Sequence, residues 1–332
     1  MRQVANRANR HWPNWLRGVN KMEKMATRDA YGKALVLLGA ENPDVVVLDA
    51  DLAKSTKTID FMKAYPERFF DMGIAEQNLI GTAAGFAAAG KIPFASTFAI
   101  FATGRAFEQI RNSVAYTKLN VKIAASHAGL TVGEDGASHQ AVLDIAIMRV
   151  LPNMTVLVPA DPIETMKAVF AAAELKGPVY IRLGRPVVPV LFPDDYEFKI
   201  GKAVTLRDGK DVAILACGIM TAESMKAAEE LEKEGIAARV INVSTIKPLD
   251  KGAIIMAARE TGALVTAEEH SIIGGLGGAV AETIVENVPV PLERVGVRDT
   301  FGESGKPQEL LVKYGLTARD IKEAVYRVLK RK

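Results

Sequence analysis

From residue 25 onward, short and almost wholly apolar runs alternate with longer stretches in which apolar residues recur every three or four positions. The runs at 45–48, 92–96, 121–126, 155–158 and 179–183 predict strands. Between them, TRDAYGKALVLLGAE from Thr27 predicts a helix. So does the segment that Glu76 opens and Gly90 stops, and so does the one that begins at Asp161 and Pro162. Asp161 suits an N-cap and Pro162 a first turn. Strands this apolar are expected where helices cover both faces of a sheet. Strand and helix in alternation predict a mostly parallel α/β domain. Residues 186–200, PVVPVLFPDDYEFKI, hold three prolines and two adjacent acids and predict a connection between domains, placed at 191–200. A second α/β unit follows. It has predicted strands at 212–216, 238–243 and 264–267 and an amphipathic helix at 221–234 that ends at Gly235. Thr317 to Asp320 predicts a capping box at the start of a last helix, and Lys330, Arg331 and Lys332 suit the end of its dipole. The fold class is α/β: two consecutive domains with mostly parallel sheets, at 25–190 and 201–332.

Composition narrows the function classes. The chain has 332 residues, 49% hydrophobic and 24% charged, with a net charge of +3. That is the balance of a soluble globular protein, and no clustered basic face marks a nucleic-acid partner. No apolar run reaches the roughly 20 residues that span a bilayer. A single Cys217 excludes an internal disulfide and a multi-cysteine metal site, and fits a cytoplasmic protein. Residues 1–24 differ from the rest. They hold six basic residues against Glu23 alone, and both tryptophans of the chain. They are expected to be a disordered basic extension, or a misassigned start with Met22 or Met25 as the true initiator, in preference to an Arg-rich presequence.

Two polar islands stand out. In DMGIAEQN, Glu76 has Ile74, Ala75, Ile80, Ala83 and Ala84 as neighbours. A first-turn carboxylate is ordinary on a helix, where the dipole favours it. In a dry niche, however, a carboxyl has a raised pKa and stays protonated near neutrality. The second island is HAGLTVGEDGASHQ, from His127 to Gln140. Two of the three histidines beyond residue 24 fall here, around a turn of Gly133, Glu134, Asp135 and Gly136. Imidazoles and a carboxylate at a glycine turn suit proton movement and hydroxyl recognition. The His, Glu, Asp, His set matches no zinc or calcium spacing, so no metal ligand is assigned to this chain.

Together the islands resemble the pyrimidine-binding half of a thiamine diphosphate enzyme, and transketolase most closely. DMGIAEQN is similar to the helix start that carries the family's glutamate. VGEDGASHQ, with a histidine six residues before its first glycine, is similar to the family's sugar-recognition turn. The resemblance covers residues 25–332. It implies that Glu76 activates the cofactor's aminopyrimidine and that His127 and His139 face the substrate carbonyl and hydroxyls. Asp135 is implied to meet a hydroxyl, Phe98 and Phe101 to sandwich the pyrimidine, and Asp51 in DADLAKS to lie near the thiazolium, with Asp49 a less favoured competitor. Arg28, Ser55 and Arg185 match the family's phosphate residues. Gly104 stands where a third pocket aromatic is common, and Arg105 is outside the full-length pattern. EEHSIIGGLGG, 268–278, lacks both the P-loop Lys and the dinucleotide spacing and resembles the family's non-catalytic strand-to-helix turn.

The family's other domain holds the cofactor's diphosphate through Mg²⁺ or Ca²⁺ on a Gly-Asp-Gly motif, and this sequence contains no Gly-Asp-Gly. The resemblance therefore implies the C-terminal subunit of a split transketolase, paired with a separate N-terminal subunit in an α2β2 assembly and acting on sugar phosphates. The alternatives are half of a deoxyxylulose phosphate synthase-like enzyme, the beta subunit of a 2-oxoacid dehydrogenase, and a silent scaffold homologue. The two histidines with their EDG turn disfavour the dehydrogenase subunit. Retention of Glu76 disfavours the scaffold.

Overall fold

The computed structural model describes residues 24–332, so the expected basic extension, apart from Lys24, lies outside the described residues. Lys24 itself begins β1 (Lys24–Ala26), which leads into α1 (Thr27–Glu41). The first unit continues with β2 (Val45–Asp49), α2 (Ala53–Thr56), α3 (Ile59–Ala64), β3 (Phe69–Asp71), α4 (Glu76–Ala88) and β4 (Ile92–Phe98). It then runs through β5 (Lys122–Ser126), α5 (Asp144–Val150), β6 (Thr155–Leu157), α6 (Pro162–Glu174), β7 (Val179–Arg182) and β8 (Val187–Pro189). Strands β6, β7, β5, β4, β2 and β3 lie side by side in that order, all parallel. Alternate residues of β2 point to opposite layers, as strand geometry requires. Val46 and Leu48 pack toward Leu79 and Ile80 of α4, whereas Val45 and Val47 pack toward Tyr31 and Leu35 of α1. That two-sided burial is why the strand reads as a continuous apolar run.

The second unit holds β9 (Val204–Arg207), β10 (Val212–Ala216), α7 (Met220–Lys233), β11 (Ala238–Asn242), β12 (Thr245–Lys247) and α8 (Lys251–Thr261). After these come β13 (Leu264–Ser271), α9 (Leu276–Asn287), β14 (Leu292–Val297), α10 (Pro307–Lys313) and α11 (Ala318–Leu329). Its sheet has the order β14, β13, β10, β11, β9, with only β9 antiparallel. The capping signals form as expected: Asp161 accepts from the Glu164 amide, and Thr317 and Asp320 make a reciprocal box.

The two units are not joined by a connection alone. β12 leaves its own domain and pairs antiparallel with β6, extending the first sheet to seven strands. One apolar cluster runs without a break from Ile123 and Ile145 to Leu215, Ile254 and Leu276. Beneath it, Arg182 of β7 lies 2.8 Å from Asp144, with both side chains buried. The same guanidinium donates to the carbonyl of Glu269 in the second domain at 2.9 Å. Val187–Pro189, inside the expected linker stretch, instead forms β8 and pairs with β1. Among the described residues no helix is long and apolar enough to cross a membrane.

Candidate active site

The candidate residues gather because they follow the carboxyl ends of neighbouring parallel strands, the edge where α/β sheets bind ligands. Asp51 follows β2, Glu76 follows β3, Phe98 ends β4, His127 follows β5 and Arg185 follows β7. Arg28 opens α1, and the Thr27 hydroxyl beside it accepts from the Gly184 amide at 2.7 Å, which ties that helix start to the end of β7. Two of these positions need unusual backbone. Asp51 and His127 both sit at φ 59°, in the left-handed region that non-glycine residues rarely occupy.

His127 is the centre of the arrangement. Its Nε2 lies 3.0 Å from Nη1 of Arg28, and its Nδ1 lies 2.9 Å from the Ser126 hydroxyl. A guanidinium only donates, so Nε2 is the acceptor and the proton sits on Nδ1, pointing to Ser126. Burial first, and then the charges of Arg28, Arg185, His139 and Lys57, push the His127 pKa down to about 3. The ring is therefore neutral at physiological pH. It stacks on Phe98 at 3.9 Å between centroids, while His139 meets Phe101 edge-on at 5.1 Å. Nδ1 of His139 lies 2.9 Å from the Ser138 hydroxyl.

Phe98 and Phe101 lie 5.8 Å apart and nearly parallel, at 17°. Aromatic pairs in contact have centroids about 4.5–7 Å apart, so the two rings touch each other and a third ring does not fit between them. With Phe98 covered by His127, the outer face of Phe101 is the one open to a planar group. That face carries Arg105, whose guanidinium carbon stands 4.0 Å from the ring centroid. Nη1 of Arg105 also lies 2.9 Å from the Glu76 carboxylate, which is 5% exposed at the first residue of α4. The Glu76 niche is thus not purely apolar as the sequence suggested. A planar cation faces it, and the desolvation argument alone does not describe it.

Arg28 donates through Nη1 to the Ser55 carbonyl at 3.0 Å, which brings two of the expected phosphate residues together, while its buried Nε has no protein partner. Burial lowers the Arg28 pKa, with Arg185 adding like-charge repulsion. Arg185 bonds the Val132 carbonyl and lies 3.1 Å from Glu134. Arg28, Arg185 and Lys57 all raise the positive potential at His127, which suits an anionic group there. Asp135 is exposed at the end of the 3₁₀ turn Leu130–Asp135. Asp51 is exposed, and its amide donates to Asp71 at 3.1 Å. The competing Asp49 is fully buried and accepts from Leu52, Thr56 and Thr58, and burial lifts its pKa to about 6. Its bonds hold the α2 turn that carries Ser55.

Several supporting residues escaped sequence reasoning. Asp71 accepts from the amides of both Asp51 and Gly73, joining the two loops beside Glu76. Glu269, within the stretch read only as a turn, accepts from the Thr131 amide at 2.7 Å. Ser304 bonds the Glu134 carbonyl at 2.6 Å, and Gln140 donates to the Glu303 carbonyl at 2.8 Å. The second domain therefore braces the EDG turn from below. Arg105 was the one residue with a readable signal: it lies four positions after Phe101, a spacing that puts both on one face of a helical turn.

Comparison with known proteins places the chain in a family. Residues 23–190 match the family description "Transketolase, pyrimidine binding domain", and residues 201–321 match "Transketolase, C-terminal domain". A Methanocaldococcus jannaschii protein, provisionally named a transketolase C-terminal section, is 51% identical over 92% of this chain and 96% of its own length. A 6-deoxy-6-sulfo-D-fructose transketolase subunit from a Clostridium species is 48% identical over 94% of this chain and 97% of its own. Among solved structures, one titled "Split gene transketolase, inactive beta4 tetramer" superposes with a TM-score of 0.88 at 63% identity, over 93% of this chain and 99% of that one. Rat transketolase is 41% identical over 91% of this chain, which spans 49% of that protein. The chain belongs to the transketolase family, carries its pyrimidine-binding and C-terminal domains, and corresponds to the C-terminal half of a full-length transketolase.

Proposed function

We propose that this chain supplies the pyrimidine-facing half of a thiamine diphosphate site, and that a separate N-terminal subunit completes it with the diphosphate and its Mg²⁺. The observation that carries this reading is the meeting of a buried carboxyl, an aromatic face, two imidazoles and a group of cations at one edge of one sheet. The pyrimidine end fits the residues present. Glu76 and Phe101 already hold a planar group with N–H donors, namely the Arg105 guanidinium.

When bound, the cofactor supplies the carbon nucleophile and the electron sink for ketol transfer. In the reaction, the bond between carbons 2 and 3 of a ketose phosphate breaks. An aldose phosphate leaves, and the two-carbon unit joins the carbonyl carbon of a second aldose phosphate. Glu76 would hold a proton at a pyrimidine ring nitrogen. His127, neutral with its proton on Nδ1, offers Nε2 as an acceptor once Arg28 turns toward an anion. His139 and Asp135 would meet the sugar hydroxyls. Arg28, Arg185 and Ser55 would hold the charged end of the substrate, and binding there helps to place the distant carbonyl. Asp51 would approach the thiazolium.

The relative named for a sulfo-sugar supports one extension: the cationic group would accept a sulfonate as well as a phosphate. The single cysteine, Cys217, is free and buried, and cysteine usage of this kind supports a cytoplasmic setting. The solved relative's title, an inactive tetramer of beta chains, supports an isolated chain that self-associates without activity. The experiment mixes this chain with a Gly-Asp-Gly-bearing subunit, thiamine diphosphate and Mg²⁺. It then assays transfer from xylulose 5-phosphate to ribose 5-phosphate. Transfer in the mixture and none from either chain alone supports the reading. Turnover of pyruvate in its place favours the synthase alternative.

A further inference from the structure

The Arg105 side chain makes two contacts that no other described residue makes together. It stacks on Phe101 at 4.0 Å and donates to Glu76 at 2.9 Å. Its backbone is anchored: the Phe101–Arg105 turn is π-helical, and Gln77 Nε2 donates to the Arg105 carbonyl at 3.2 Å. Its side chain is 54% exposed, while the Glu76 it bonds is buried. Gly104 beside it is exposed and has nothing within 4 Å of where a Cβ would lie, so no side chain from that position covers Arg105. A flat group with N–H donors, lying on an aromatic face and bonded to a buried carboxyl, has the chemistry expected of an aminopyrimidine in the same place.

We propose that Arg105 is a built-in plug of the aminopyrimidine subsite. In the isolated chain its guanidinium lies on Phe101 and satisfies Glu76. Loading requires it to swing into solvent, which frees one face of Phe101 and one carboxyl oxygen together. The plug keeps the half-site closed and its buried carboxyl partnered until the rest of the cofactor site arrives. This rests on the proposed role of Glu76 and Phe101 in holding the pyrimidine.

The test uses the pyrimidine half of the cofactor alone, 4-amino-5-hydroxymethyl-2-methylpyrimidine, because it needs neither the diphosphate site nor a metal. Its binding to the full isolated chain is measured by calorimetry or by ligand-observed NMR. A part-buried ion pair with a half-exposed guanidinium and a cation–π contact are each modest, so their loss in Arg105→Met is expected to tighten binding roughly tenfold. Arg105→Lys, which keeps the charge but loses the flat stack, is expected to fall between Arg105→Met and the unaltered chain. Phe101→Ala in the Arg105→Met background should remove the gain. If Arg105→Met binds the pyrimidine as weakly as, or more weakly than, the unaltered chain while Phe101→Ala still weakens it, the plug is overturned and the pyrimidine site stands. If neither Phe101→Ala nor Glu76→Gln changes pyrimidine binding in any background, the site assignment fails and the plug with it.

Discussion

His127 accepts a hydrogen bond from Arg28 at 3.0 Å, and that one contact settles the tautomer of the central imidazole. With Nε2 occupied by a donor that never loses its protons, Nδ1 must carry the hydrogen that points to Ser126. The same contact links the expected phosphate residues to the expected proton-handling residue, so charge at one end of the site and hydrogen bonding at the other are set by a shared pair.

The pH dependence follows from that pair. Burial and the surrounding cations hold the His127 pKa at about 3 in the folded chain, against 6.5 for an ordinary imidazole. Between those values the unfolded chain binds a proton that the folded one does not, so this group's contribution to stability rises with pH across that window and is lost on acidification. A proton NMR titration of the His127 ring should show no protonation between pH 5 and pH 8. In Arg28→Met, with one of the neighbouring positive charges gone, the pKa should move upward.

The cationic end of the site should discriminate by charge. Arg185→Gln, reconstituted with the partner subunit, is expected to raise KM for phosphorylated sugars roughly tenfold, the weight of one charge-assisted contact. The change should be much smaller for an acceptor without a charged end. Steady-state kinetics with a phosphorylated and an unphosphorylated acceptor checks this, and an equal effect on both would remove Arg185 from the anion site.

The brace from the second domain can be tested by volume. Gly129 sits at φ 81°, and a Cβ there would lie 2.1 Å from the Glu269 carboxyl carbon. Gly129→Ala must therefore strain the backbone and push a buried carboxylate off the Thr131 amide. Strain of about 1–3 kcal/mol joins the cost of an unpartnered buried acceptor, so a loss of about 3 kcal/mol in stability is expected from urea unfolding.

The ion pair between Arg182 and Asp144 should be costlier to break. Both side chains are buried, and Asp144 also accepts from the Tyr180 hydroxyl at 2.7 Å. Asp144→Ala leaves a buried guanidinium and a phenol without their acceptor, for an expected loss of about 3–5 kcal/mol by urea unfolding.

Much of this was legible in the sequence because the sheet is buried on both sides. The runs at 45–48 and 121–126 are covered by helices on both faces, so they stood out as short, mostly apolar runs. β3 and β12, three residues each, were too short to show any period. β12 draws its meaning from a partner strand, β6, in another domain, which no local pattern encodes. The site was legible as two islands because polar residues are conspicuous in apolar surroundings. What the islands could not show was their contact with other segments. Arg105 answers Glu76 from 29 positions away, and Glu269 reaches Thr131 from 138 away. Asp49, two residues from Asp51 and chemically alike, was separable only by its burial beneath two threonines.

The most direct test of the central claim is to carry Glu76→Ala into the two-chain mixture and measure ketol transfer alongside the mass of the assembled complex. The account predicts that the complex forms at unchanged mass while transfer falls by about 10²–10⁴-fold, the usual weight of a positioned proton-handling group. Transfer at the unaltered rate with the variant chain in the complex would contradict it.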